Sequence, residues 1–168
     1  MKCEKIFAER RSNRTLSNKT LAKEEVDAIL EAGELAPVAR GKYDTLKLYV
    51  YQGEFLEMIK DSYIKELGAD PFFDGGLLVL VTQKDEKECL MNQNAGCILE
   101  NMLLEATKLN IGSVFLYSPV RVALTRTNLL ELFEIDEGYM PIACGIFGYI
   151  KEKNVRNIEH KIDKVFRY

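Results

Sequence analysis

Residues 93–118, QNAGCILENMLLEATKLNIGSVFLYS, constrain the fold more than any other stretch, because they read as a helix that gives way to a strand. Ala95, Leu99, Met102, Ala106 and Leu109 recur at alternating four- and three-residue steps, one face of a helix. Ile98, Leu103 and Leu104 widen that face and leave Asn101, Glu105 and Lys108 as a narrow polar strip. A helix of this kind is buried nearly all round, in a core or against a second subunit. Asn110 and Gly112 then break it, since both residue types tolerate left-handed backbone. Residues 113–117, branched and aromatic, predict a buried strand.

The rest of the chain supplies partners for this pair. Residues 4–11 predict a short amphipathic helix with Ile6 and Phe7 as its contacts. Residues 23–35 predict another, with Glu24 and Glu25 at its positive end and Ala36-Pro37 as its stop. Leu46, Leu48 and Val50 alternate with polar neighbours, as in a half-buried strand. A helix over residues 55–67 follows, ended by Gly68 and Pro71. Residues 77–81, LLVLV, predict a strand covered on both faces, and residues 142–149 a second. Residues 117–119 are expected to turn, and residues 129–133 to form a short helix. Helices and strands mix without strict βαβ repetition, in what is most simply one domain over residues 1–168.

Several function classes drop out. No G-x-G-x-x-G or GKS/T motif is present. The single histidine, His160, excludes zinc sites built on two histidines, and it lies among charges that suggest a solvated surface. The cysteines Cys3, Cys89, Cys97 and Cys144 are scattered as ordinary thiols of a reducing compartment. No apolar run is long enough to span a bilayer and no signal peptide opens the chain, so a cytoplasmic location is expected. Residues 1–23 carry a net +5 and residues 151–168 a net +3, which leaves −11 between them. That acidic middle argues against nucleic acid. Two basic ends suit a small anion held where the termini meet, although on charge alone solvated termini are the simpler reading.

The densest cationic cluster is RRSNR, residues 10–14. Guanidinium groups bind phosphate through paired, charge-assisted hydrogen bonds, and a serine hydroxyl can add one more. In extended backbone Arg10, Ser12 and Arg14 would project to one side. This cluster resembles the R-R-S-x-R phosphate motif of the nitroreductase family of FMN-dependent oxidoreductases. EEVDAILEAGELAP (24–37) is similar to that family's next helix, residues 94–117 to its long central helix and strand, and ACGIFGY (143–149) with Arg156 to its closing strand and C-terminal arginine.

The resemblance implies an α+β nitroreductase-like fold with a mixed central sheet flanked by helices, in an intertwined homodimer with FMN at the subunit interface. It implies that Arg10, Arg11, Ser12 and Arg14 hold FMN, joined by Arg156 at the phosphate. Backbone groups of Val38, Ala39 and Arg40 would touch the flavin, and Leu116, Tyr117 and Ser118 would turn their N–H groups to its redox nitrogen. NAD(P)H would supply electrons and a nitroaromatic, quinone or similar small acceptor would remove them in a second step. No metal and no catalytic side chain are implied. One departure stands out: the family follows A-P with a small polar residue and N-x-Q-P-W, whereas residues 38–45 here read VARGKYDT. Two alternatives stay open, a flavoprotein of this fold with another reaction (dehydrogenation, dehalogenation or flavin breakdown) and a non-enzymatic flavin-binding dimer.

Overall fold

The computed structural model describes residues 5–84, 90–152, 162, 164, 165 and 167. Its hub is strand β5, Tyr139–Ile150, buried without interruption from residue 141 to 148. On one side β5 pairs antiparallel with β3, Leu77–Lys84, and β3 in turn with β2, Leu46–Gln52. On the other side it pairs antiparallel with β4, Ile111–Leu116. A two-residue strand β1, Leu16–Ser17, extends the sheet beside Ile150 and Tyr149. All these ladders are antiparallel, and the mixed character expected of the sheet is confined to a parallel bridge between Ser12 and Ser113.

Helices cover both faces, which is why the run at 77–81 shows no polar alternation. Leu77, Val79 and Val81 face one core with α2, Lys23–Glu34, and α4, Met91–Lys108. Leu78 and Leu80 face the other, shared with α3, Gly53–Leu67, α5, Ser118–Ala123, and α6, Thr127–Leu130. The expected α+β class therefore stands. A five-residue helix α1, Lys5–Glu9, lies against α4.

Local signals explain most boundaries. The Glu25 carboxylate accepts the Ala22 N–H at 2.9 Å, capping α2, and also accepts the Tyr149 hydroxyl at 2.6 Å. Gly68 ends α3 in left-handed backbone. Asn110, at φ +60°, makes the break between α4 and β4. Gly112 has a different task from the helix break expected of it. It lies within β4, where a Cβ would come within 2.6 Å of Leu16 and 2.8 Å of Ile150. The turn expected at 117–119 is instead the start of α5, with Pro119 in its first turn, where a missing N–H costs no intrahelical bond.

The central helix also departs from expectation. Asn101, assigned to the polar strip, donates its Nδ2 to the Ala32 carbonyl at 3.1 Å across the α2–α4 contact. The side of α4 that faces solvent within one chain carries Gln93, Cys97 and Glu100. Met102 is fully buried against Gly33 of α2, where a Cβ would collide with its side chain. It therefore packs inside the chain.

Candidate functional site

The cationic segment runs along the outer edge of β4. The Asn13 N–H donates to the Ser113 carbonyl at 3.0 Å, next to the Ser12–Ser113 bridge, so backbone pairing fixes the height of the segment on the sheet. Arg10 Nε lies 3.5 Å from a Glu100 carboxylate oxygen on α4, and Arg11 donates to the Arg10 carbonyl at 2.8 Å. Arg10, Arg11 and Ser12 are each partly exposed. Arg14 diverges from them. The chain bends after it to reach β1, and its guanidinium lies over the Phe73 ring, 5.7 Å from the centroid.

The cluster stands at one end of the α4–β4 layer, and a groove opens at the other. Alternation along β4 puts Ile111, Ser113 and Phe115 on the side of α4 and Val114 and Leu116 in the opposite core. From Glu100 to Asn92 the helix rises about 12 Å, and from Ser113 to Tyr117 the strand rises about 13 Å. The two walls thus end together. At that end Phe115 is 41% and Tyr117 54% exposed, although residues 113–117 read as a wholly buried strand. A cavity of about 250 Å³ lies there, lined by Asn92, Ala95, Phe115, Tyr117, Ile142 and Ala143. A second, of about 310 Å³, shares Asn92, Tyr117 and Ile142 with it. Phe115 and Asn92 had no local signal. A phenylalanine in an apolar run reads as core, and its exposure follows from β4 being an edge.

Two further features flank these elements. Ser113 is 1% exposed and its hydroxyl has no hydrogen-bond partner among the described residues. The start of α5 is fixed from beneath by Tyr63, whose hydroxyl donates to the Pro119 carbonyl at 2.8 Å. Burial holds the Tyr63 phenol above its ordinary pKa, so it stays a donor. The first turn of α5 points the Ser118 N–H where no intrahelical carbonyl reaches it. Burial likewise raises the Cys144 thiol, leaving it protonated and inert.

Residues 38–40 are not in this groove. Val38 lines a separate cavity of about 470 Å³ with Leu30, Gly33, Tyr43, Leu48 and Ile98, between α2, α4 and β2. The Ala39 N–H donates to the Asn94 side chain at 2.9 Å. The width of α4, about 10 Å, separates the two places. Arg156 and His160 lie outside the described residues. No cluster of three or more His, Cys, Asp or Glu able to hold a metal occurs among the described residues. No helix among them is long and apolar enough to cross a membrane.

An anion with a flat aromatic end suits this layout. Cationic donors stand at one end, an orphaned hydroxyl beside them, and exposed aromatic surface at the other. The Nitroreductase family model matches residues 7–68, which include the cationic segment, α2 and the 38–45 loop. A protein of Archaeoglobus fulgidus, provisionally named NADH dehydrogenase/NAD(P)H nitroreductase, is 28% identical over 153 residues, 90% of this chain and 87% of that one. A nitroreductase with bound FMN from Bacteroides fragilis superposes with a TM-score of 0.73 at 24% identity, over 97% of this chain and 100% of that one. Another with bound FMN, from Desulfitobacterium hafniense, gives 0.78 at 18% identity, over 99% and 100%. The chain has the nitroreductase fold, and the family resemblance in its sequence is borne out.

Proposed function

We propose that this chain, of the nitroreductase family by sequence and fold, is an FMN-dependent oxidoreductase that takes electrons from NAD(P)H and passes them to a nitroaromatic, quinone or similar small acceptor. The observation that carries this reading is the α4–β4 layer, which sets Arg10, Arg11 and Ser12 about 12 Å from the cavity beside Phe115 and Tyr117. Bound FMN supplies the redox chemistry, by accepting and releasing a hydride equivalent.

The chain's own residues bind and orient. Arg10 and Arg11 offer charge-assisted donors to the phosphate, and Ser12 a hydroxyl. Arg10 gains a stronger partner there than Glu100, which is half exposed at 3.5 Å. Arg156 would join them from the tail, and Arg14 would have to leave the Phe73 ring to do so. Leu116 turns its N–H toward Cys144 of β5, so the N–H groups left to face the ring are those of Tyr117 and Ser118, next to the Tyr63–Pro119 contact. Phe115 covers one of its faces, and a second face left open to small molecules suits two reactants that enter in turn.

The separation of residues 38–40 from this groove fits a homodimer, in which the loop of one subunit meets the groove of the other. The 168 residues then act as one FMN-binding domain, in the cytoplasm, with neither nucleic acid nor membrane as partner. The test is the spectrum of the purified protein, with chromatography of the released chromophore and steady NAD(P)H oxidation on adding a quinone. FMN, turnover and parallel double-reciprocal plots are expected. A protein that takes up no FMN overturns the reading. FMN without turnover favours the flavin-binding dimer.

A further inference from the structure

The loop over residues 38–45, where this chain abandons the family pattern, is tied to the core by one unbroken chain of hydrogen bonds. The Ala39 N–H donates to Asn94 Oδ1 at 2.9 Å, and Asn94 Nδ2 donates to Gln83 Oε1 at 3.1 Å. Gln83 Nε2 donates to Thr45 Oγ1 at 2.8 Å, and the Thr45 hydroxyl donates to the Lys42 carbonyl at 2.7 Å. Asn94 is 2%, Gln83 0% and Thr45 3% exposed. The chain begins and ends on the loop, and every link runs in the same direction. Flipping either amide would set donor against donor or acceptor against acceptor, so the arrangement has one solution. Between its two anchors, Arg40 and Gly41 sit at φ +57° and +65°. Two successive left-handed residues, one of them not glycine, persist only where the surroundings hold them.

We propose that Asn94, Gln83 and Thr45 are positioning residues, which hold the 38–42 loop in the shape it presents to the flavin. They replace direct side-chain contacts from the loop with a backbone fixed from inside the core. This rests on the function proposed above. Asn94 stands on α4 two residues beyond Asn92, which lines the groove, so one helix turn carries both the groove wall and the clamp.

The test compares Thr45→Val, which keeps volume and loses the hydroxyl, with Thr45→Ser, which keeps it. Tyr51→Phe is the control, removing a buried 2.7 Å bond to the Phe133 carbonyl on the opposite face of the sheet. Brief trypsin treatment of the flavin-free protein reads the clamp through cleavage after Arg40 and Lys42. Thr45→Val should be cut there about tenfold faster than wild type, as expected for one lost buried bond. In the FMN-loaded protein the same variant should shift the flavin midpoint potential and raise the acceptor KM more than it lowers kcat. Thr45→Ser should match wild type in every reading. If Thr45→Val melts earlier, as Tyr51→Phe does, yet keeps wild-type cleavage and potential, the network is merely structural and the proposal fails. Faster cleavage with an unchanged potential and KM would overturn the link to the flavin. Wild-type protein that takes up no FMN would overturn the proposed function and that link together, and the trypsin comparison then decides the clamp by itself.

Discussion

The cationic segment at 10–14 and the loop at 38–45 are both candidate cofactor contacts, and the fold holds them by opposite means. The segment lies on an edge strand through backbone pairing at Ser12 and Asn13, and its side chains stay partly exposed. The loop is held through buried side chains, Asn94, Gln83 and Thr45, none more than 3% exposed. An exposed guanidinium can be removed with little effect on folding, whereas a buried amide cannot, because its partners stay behind unsatisfied. Function and stability should therefore separate at the segment and coincide at the loop.

Both regions touch α4, through Arg10–Glu100 and Ala39–Asn94, so the largest effect should come from breaking its packing. Met102→Lys puts an ammonium group at a fully buried site against Gly33 and should cost more than about 4 kcal/mol. Circular dichroism should show a largely unfolded protein. A folded variant would mean that α4 can shift away from α2, and the two regions would no longer share a frame.

Next comes the loop side. Asn94→Leu strands the Ala39 N–H and the Gln83 carbonyl oxygen and should cost about 3 kcal/mol, read as a lower urea midpoint with unchanged slope. Arg10→Ala, measured in the same way, should stay within about 0.5 kcal/mol of wild type. If both variants destabilise equally, the contrast between the regions is wrong.

Flavin affinity should rank the segment differently. Arg10→Ala should weaken FMN binding by about 1.5–3 kcal/mol, roughly tenfold or more, with a much smaller loss for riboflavin, which lacks the phosphate. Equal losses for the two flavins would move Arg10 from the phosphate to the ring or to the fold.

The smallest effect should have the opposite sign. The Ser113 hydroxyl is buried without a partner among the described residues, so Ser113→Ala should raise the melting point of the flavin-free protein, by about 1 kcal/mol of stability. A loss of stability would show that the hydroxyl has a bonded partner.

Much of this architecture was legible in the chain. The helix–strand switch at Asn110, the doubly covered strand at 77–81 and the stop at Ala36-Pro37 each rest on local chemistry: left-handed tolerance, unbroken apolarity and the restriction before proline. The RRSNR cluster was also visible, because cationic side chains announce themselves without context. Other features depend on what comes together from distant parts of the chain. Periodicity shows that Met102 is buried but not what buries it, and that proved to be Gly33 of α2. Phe115 read as core because nothing local marks β4 as an edge. Asn94, Gln83 and Thr45 are ordinary polar residues until the fold sets Gln83 3.1 Å from Asn94 and 2.8 Å from Thr45. Apolar patterning is encoded over a few residues and can be read one element at a time. The partners of a buried hydrogen bond are chosen when the elements pack, and so they were decided by the tertiary structure.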